Sequence, residues 1–371
     1  MEASARADDR AYRPNSAPGD ALWLVAAVPE LRGERSYMED NHRLVASIVV
    51  VAYNDKKYLQ ECLSSVLDQD FPAEDYEVIY ADNASTDGSA DFVAECFPGV
   101  RVLRFEKNYG FAEGNNRAAA SAYGRYVVFQ NADTISHRRW LSELVKAVQE
   151  QPGVKACHPA GLPLQFGGHH ERHAPLDVGV MSDLTRWGYI DFTETRLRSA
   201  APVPTLHAAG GSVLVDTTII DELKYYFDPT FFIYNEDTDL GLRINNLGYT
   251  VLFVPSAAMY HERAPSRRVL LNRRSLRNAF LVTRNRFVAF YKNMDSLEFL
   301  LALPLLCLGS IIKLRTLPVK PARRLVYALG LVPFTLWSLL LAVLRFPQYT
   351  QERRYIRSHS RRGRFWLLKE L

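Results

Sequence analysis

From Val45 to Gln130 the chain alternates short apolar runs with stretches of helical spacing, and this alternation narrows the possible folds more than any other feature. SIVVVAYN, beginning at Ser47, is a continuous β-branched run of the kind expected for a parallel strand covered on both faces. Tyr58 to Asp68 then places Leu59, Cys62, Leu63, Val66 and Leu67 at helical spacing, and Phe71-Pro72 ends the pattern. Tyr76 to Ala81, Val100 to Phe105 and Tyr126 to Gln130 read as further strands. Ser89 to Cys96 and Gly114 to Ala122 read as the helices between them. The implied fold class is α/β, a doubly wound and mostly parallel sheet, with ligands beyond the carboxyl ends of its strands.

Downstream, Trp140 to Gln149 predicts another helix, whereas residues 158–205 are rich in Pro, Gly and His, show no period and suggest a loop-rich insertion or lid. Order resumes with a strand at Ser212 to Val215, a helix-like Thr217 to Leu223, a helix opening at Asn235 to Asp239 and ending near Gly248, and a strand at Val251 to Val254. Three regions follow: an extension over 1–46 whose first 20 residues carry no signal-peptide pattern, an α/β domain over 47–290, and a basic, apolar helical region over 291–371. Cys62, Cys96, Cys157 and Cys307 have no paired spacing, which fits a reducing cytosol.

The overall charge of +4 conceals a split. Residues 263–371 carry 22 Lys and Arg against 4 Asp and Glu, about +18, and residues 1–262 balance them at about −14. Such a tail meets an anionic surface, phospholipid or nucleic acid. The apolar runs Phe299 to Ile312 and Leu325 to Leu344 favour lipid and argue against nucleic acid. The first is too short for a bilayer core of roughly 30 Å, and the loop between them carries Lys313, Arg315, Lys320, Arg323 and Arg324, which a spanning hairpin would send to the wrong side. Two helices dipping into the cytoplasmic leaflet, a peripheral or monotopic attachment, are the expectation; the Arg-rich stretch Arg263 to Arg286 would add contacts to lipid phosphates. Paired helices in a soluble bundle are the competing structural reading.

Polar residues cluster where strands end. In ADNASTDGS, Asp82 and Asn83 suit the base or ribose of a nucleotide, and equally a capped turn. Asn108 to Asn116 reads as a Gly-rich loop entering a helix, where Gly110 and Gly114 permit close approach and Asn108 and Asn115 offer hydrogen bonds. Glu236, Asp237 and Asp239 open a helix, a position that acids favour for electrostatic reasons alone and where general bases are also found.

Taken in order, SIVVVAYN, ADNASTDGS, EKNYGFAEGNNRAA, FQNADT, NEDTDLGLR and YHE resemble the family 2 glycosyltransferases of the GT-A fold, bacterial rhamnosyltransferase-like members in particular. The resemblance covers roughly residues 47–290. It implies an inverting enzyme that moves a sugar from a nucleotide-diphosphate donor, dTDP-rhamnose favoured, to a lipid-linked saccharide in cell-envelope polysaccharide synthesis. It places Ala52, Tyr53 and Asn54 in the base pocket and Asp82 on the base. At QNADT, where the fold usually carries Asp-x-Asp for a divalent cation, Asn131 stands in the first position and Asp133 is the remaining carboxylate. The diphosphate leaving group calls for such a cation, Mg2+ or Mn2+, with His261 as a further ligand. The same resemblance makes Asp237 the base and Glu236 the residue that orients the acceptor, with Gly210 and Gly211 admitting the acceptor sugar. Arg243 has two possible partners, this acid cluster or phosphate.

Two other readings use the same pocket. A nucleotidyltransferase acting on sugar phosphates would carry a Gly-rich basic loop after the first strand, where this chain has AYNDKKY. A donor-binding protein without turnover would not need Asp82, Asp133 and Asp237 together.

Overall fold

The computed structural model describes residues 44–163, 179–183, 193–197, 201–209, 211–262, 273–312 and 321–370. All lie within the unit Asp40–Leu371. The expectations for most of the N-terminal extension, for Gly210, for Arg263 to Arg268 and for the cations between the two apolar runs, up to Lys320, fall outside the described residues.

The first half follows the alternation. β1 (Ala46–Ala52), α1 (Lys56–Leu67), β2 (Tyr76–Asp82), α2 (Ser89–Cys96), β3 (Val100–Arg104), α3 (Gly110–Ala119) and β4 (Tyr126–Asn131) come in that order. β1 pairs in parallel with β2 and β4, and β2 in parallel with β3. The register sets Ala52 beside Asp82 and Val51 beside Asn131, so the carboxyl ends of three strands share one rim.

The remainder differs from the expected mostly parallel sheet. β5 (Thr134–Ser136), α4 (Trp140–Glu150), β6 (Val154–Pro163), a separate hairpin β7 (Gly179–Asp183) and β8 (Thr193–Leu197), β9 (Val203–Thr205), β10 (Ser212–Asp216), α5 (Ile220–Leu223), α6 (Glu236–Asn246) and β11 (Thr250–His261) follow. β10 runs antiparallel between β4 and β6. β11 is parallel to β6 and antiparallel to β5 and β9. The main sheet is therefore mixed, in the order β3-β2-β1-β4-β10-β6-β11-β5 with β9 also on β11. An apolar run cannot reveal this, because β10 is buried along its whole length and direction leaves no trace in such a pattern. The expected loop over 158–205 likewise contains the end of β6, the hairpin and β9.

Alternate residues of the sheet feed two cores. Ile48, Val50 and Ala52 pack with Leu59, Leu63, Val66, Trp140 and Leu144 on one face. Val49, Ile79, Ala81 and Phe129 pack with Ala112, Phe227 and Leu240 on the other. Each fully buried large side chain contributes roughly 1.5–3 kcal/mol.

The C-terminal region consists of α7 (Arg273–Asn293), α8 (Ser296–Ile312), α9 (Pro321–His359) and α10 (Trp366–Glu370). The expected boundary at residue 290 falls inside α7. A third apolar cluster joins Phe231 and Leu242 to Phe287, Phe290, Tyr349 and Trp366. Beyond α9, Arg361 donates its backbone N–H to the Asn246 carbonyl (2.8 Å), and the Trp366 indole donates to Asn246 Oδ1 (3.1 Å). The segment from Arg357 to Trp366 is thus packed against α6, which begins at the acid cluster. Among the described residues, no helix is long and apolar enough to cross a membrane.

Candidate active site

At the shared rim, the β1 and β2 ends are tied to each other. Asn54, at φ 58°, donates its backbone N–H to Ser85 Oγ (2.9 Å), and its Oδ1 accepts from the Thr86 N–H (2.8 Å). Asp82, nearly buried, accepts from the Tyr80 hydroxyl (3.2 Å) and the Ser85 N–H (3.0 Å). Ala52 is buried, and its carbonyl accepts from the Asn83 N–H (2.9 Å). Tyr53 is exposed beside them. The result is a narrow polar shelf with one aromatic side chain at its mouth.

The next residues shape the shelf. Buried Asn83 donates Nδ2 to the Gly110 carbonyl (2.9 Å) and accepts from the Tyr109 N–H (2.8 Å), while Asn108 Oδ1 accepts from the Gly110 N–H (2.8 Å). Asn115 is buried and donates to the Phe111 carbonyl (2.9 Å). The amides of Asn83 and Asn115 are committed to holding the start of α3. Gly110 sits at φ +80°, and a Cβ there would lie 2.5 Å from the Phe232 ring. The Phe232 carbonyl in turn accepts from the N–H groups of Phe111 and Ala112. β2 thereby positions α3, and α3 positions the turn that precedes α6.

That turn is strained. Phe232, Tyr234 and Asn235 all have positive φ, at 63°, 76° and 63°, a region that costs non-glycine residues roughly 1–3 kcal/mol each. Asn285 of α7 holds it, donating to the carbonyls of Phe231 (3.0 Å), Ile233 (3.0 Å) and Tyr234 (2.8 Å). Asn235 donates back to the Val282 carbonyl of the same helix (2.9 Å). The strained turn delivers Glu236 and Asp237 to the first turn of α6.

The three acids then divide. Asp237 is partly exposed, accepts from the Thr238 N–H (2.7 Å), and places Oδ2 3.6 Å from Nε2 of buried His207. Glu236 is buried and its Oε2 has no hydrogen-bond partner among the described residues. Burial, with the Asp237 charge beside it, raises its pKa well above the ordinary carboxyl value. Asp239 points inward and accepts from Arg243 Nε (2.8 Å), Lys292 Nζ (3.1 Å) and Asn293 Nδ2 (3.0 Å). Of the two partners open to Arg243, the acid cluster is the one found; its guanidinium also donates to the carbonyls of Tyr225 (2.9 Å) and Tyr226.

The strip 206–208 lies directly against α6. A Cβ on Gly241 would sit 2.5 Å from the Leu206 carbonyl oxygen and 2.9 Å from the Ala208 nitrogen. Four residues beyond His207, the Gly211 carbonyl accepts from the Asn131 N–H (3.1 Å) at the end of β4. A Cβ on Gly211 would meet Met259 (2.5 Å) and His261 Nδ1 (3.3 Å), so this glycine makes room for the end of β11. There His261 Nε2 lies 3.2 Å from Asp133 Oδ1, both side chains about one third exposed. At no more than about 3.6 Å per residue, the four steps from His207 to Gly211 span at most about 14 Å, which bounds the separation of these two anchoring residues.

Asp133 and His261 suit a divalent cation. One carboxylate oxygen from the turn before β5 and one imidazole nitrogen from the end of β11 converge with solvent access, and Mg2+ or Mn2+ at a diphosphate takes one or two protein ligands with phosphate oxygens and water completing the shell. Among the described residues there is no group of three or more ligating side chains, so a substrate would have to supply the rest.

Sequence reasoning missed His207, Asn285 and Lys292. Lys292 is fully buried between Asp228 (2.6 Å), Asp239 (3.1 Å) and Glu352 (3.2 Å). Burial works against its charge and the three carboxylates outweigh that, raising its pKa. Glu352 is pushed up to about 7, burial outweighing the pull of Lys292. A lone Lys in a helix of mixed pattern gives no signal of this. Arg284, expected among lipid-facing cations, is buried and donates to Asn285 Oδ1 (2.8 Å).

Residues 47–206 match the family model "Glycosyl transferase family 2". A Bacillus subtilis glycosyltransferase named for teichuronic acid biosynthesis, TuaG, is 34% identical over 177 residues, 43% of this chain and 69% of TuaG. The N-acetylglucosaminyl-diphospho-decaprenol L-rhamnosyltransferase of Mycobacterium tuberculosis is 27% identical over 248 residues, 60% of this chain and 77% of that one. With another Bacillus subtilis glycosyltransferase, YfnE, the match is 26% and spans 65% of the relative's length. In fold, Staphylococcus aureus TarS 1–349 in complex with UDP superposes with a TM-score of 0.50 at 17% identity, covering 85% of this chain and 90% of that one. GalNAc-T7 with UDP, GalNAc and Mn2+ superposes at 0.52 and 18%, covering 69% of this chain and 49% of that one. The GT-A-like fold is therefore shared, and by sequence the chain belongs to glycosyltransferase family 2.

Proposed function

We propose that the protein is an inverting hexosyltransferase, moving rhamnose from dTDP-rhamnose to a hydroxyl of a lipid-linked saccharide at the cytoplasmic face of the cell membrane, in cell-envelope polysaccharide synthesis. The observation that carries this reading is a pair of polar clusters anchored four residues apart in the chain: Asp133 with His261 near Gly211, and Asp237 with Glu236 near His207. A donor diphosphate suits the first and an acceptor hydroxyl the second.

Each group then has a task. The shelf made by Asn54, Asp82 and exposed Tyr53 receives the nucleoside. Asp133 and His261 would hold Mg2+ or Mn2+, which when bound neutralises charge on the diphosphate. Asp237 takes the acceptor proton as the acceptor oxygen bonds to the anomeric carbon and the carbon–phosphate-oxygen bond breaks; the nucleotide diphosphate leaves with the electron pair. His207 turns Nε2 toward the Asp237 carboxylate at 3.6 Å. Glu236, whose carboxyl is pushed toward its neutral form by burial and by the Asp237 charge, orients the acceptor sugar.

The rhamnosyl and lipid-diphosphate parts of the reading are supported by the mycobacterial relative, whose name specifies both; the cation is supported by the Mn2+ in GalNAc-T7. UDP-GlcNAc, bound by TarS, is the natural competitor in a test. Purified protein is given dTDP-rhamnose, UDP-GlcNAc, UDP-galactose or UDP-glucose with Mn2+ and a lipid-diphosphate saccharide, and nucleotide-diphosphate release is followed. The expected outcome is highest kcat/KM with dTDP-rhamnose and no turnover in EDTA. Release at the background rate with every donor would overturn the catalytic reading, and a preference for UDP-GlcNAc would overturn the rhamnosyl assignment.

A further inference from the structure

The helices α8 and α9 are apolar on both faces: Phe299 and Leu306 of α8 and Tyr349 of α9 pack inward in the third apolar cluster, and leucines also point outward. On α9, Thr335, Ser338 and Ala342 are buried against the protein, while Leu336, Trp337, Leu340 and Leu344 point outward. On α8, Glu298 is fully buried, its carboxylate accepting from the Asp295 N–H (3.3 Å), while Leu300 and Leu301 point outward. These six outward side chains are each 48–66% exposed. In water a helix packed on a protein shows a polar outer face; an outer face of leucines, with Thr335 and Ser338 turned inward among the buried apolar residues, is the arrangement of helices packed in lipid. Ser338 satisfies its hydroxyl on the Phe334 carbonyl within its own helix (2.8 Å), as a side chain cut off from water must.

We infer that the outer faces of α8 and α9 form the surface on which the protein rests in an anionic phospholipid leaflet, with Leu300, Leu301, Leu336, Trp337, Leu340 and Leu344 immersed. Length and charge select this occupant. The outward stretch from Leu336 to Leu344 rises only about 12 Å, and among the described residues no helix is long and apolar enough to cross, so the helices lie along one interface. Residues 263–371 carry 22 Lys and Arg against 4 Asp and Glu. Arg345 follows Leu344 directly, so a cation borders the apolar stretch as a headgroup layer requires. A second copy docked on the same face would bring two such basic regions together, which like-charge repulsion opposes.

The inference rests on the membrane part of the proposed function and on none of its chemistry, and the test keeps the two apart. Wild-type protein and the variant L300Q/L301Q/L340Q/L344Q are floated with vesicles of phosphatidylcholine alone or with phosphatidylglycerol. Wild type should float with the anionic vesicles, and the variant should bind them at least about tenfold less with an unchanged thermal midpoint. Trp337 emission should shift to the blue on binding, and W337F should abolish that shift. Nucleotide release with a short-chain acceptor in detergent should be equal in wild type and variant, so a dead wild type indicts the chemistry and not the seating. Equal flotation of wild type and variant would overturn the inference. So would a dimer in detergent-free solution that the four substitutions convert to monomer.

Discussion

Replacing Lys292 by Met should cost more stability than any single change at the cleft. Its ammonium is fully buried and touches Asp228, Asp239 and Glu352 at 2.6, 3.1 and 3.2 Å. Without it, Glu352, whose pKa already stands at about 7, can take up a proton, and Asp239 keeps Arg243 at 2.8 Å. Asp228 is left as a buried carboxylate with Thr230 as the donor to its side chain among the described residues, through N–H (2.9 Å) and hydroxyl (2.6 Å). Removing one partner of a buried pair typically costs about 3–5 kcal/mol; the surviving Thr230 bonds place this case near about 3 kcal/mol, a large part of the roughly 5–15 kcal/mol of a folded domain. Guanidinium unfolding followed by circular dichroism at pH 7.5 reads the difference. The paired variant D228N/K292M removes the stranded charge and should recover at least about 1 kcal/mol. A loss below about 1 kcal/mol in K292M, or no recovery in the pair, would refute the view that this cation ties α7 and α9 to α6.

Three further outcomes follow from particular contacts. Gly241→Ala normally stabilises a helix by about 1 kcal/mol, but here the new Cβ would lie 2.5 Å from the Leu206 carbonyl oxygen, so the variant should be less stable and turn over at least about tenfold more slowly, with donor binding by calorimetry unchanged. Because Glu352 has a folded-state pKa of about 7 against an ordinary 4.5, its contribution is present at low pH and is lost as pH rises from about 4.5 through about 7, by at most about 3 kcal/mol; in denaturation curves between pH 5 and 8, E352Q should lack that decline. D133N and H261A should each abolish Mn2+ binding measured by electron paramagnetic resonance in the presence of UDP, and unchanged binding in both would remove the cation from this site.

The parallel half of the sheet and its rim were readable because strand ends and helix starts carry their own chemical signals: the β-branched run into Ala52, the Asx-rich turn after Asp82, the glycine at 110. Strand direction beyond Asn131 was not, since β10 is buried on both faces and an apolar strand reads alike either way. Local spacing identified Glu236 and Asp237 but not what holds them. Asn285 and Lys292 act across about 50 residues of sequence, on the Phe231 to Tyr234 turn and on Asp239, and His207 acts across 30 on Asp237. Such partners follow from tertiary packing, for which a single sequence has no periodic mark. The resemblance supplied Asp133 and His261 as partners, and their approach to 3.2 Å is a matter of β5 pairing with β11, a contact that periodicity does not reveal.

The decisive comparison is single-turnover sugar transfer by wild type and Asp237→Asn at saturating donor and acceptor. Loss of the general base should slow transfer by about 10²–10⁴-fold while donor affinity stays unchanged. Transfer by D237N at a rate close to that of wild type would contradict the assignment of Asp237 as the group that takes the acceptor's proton.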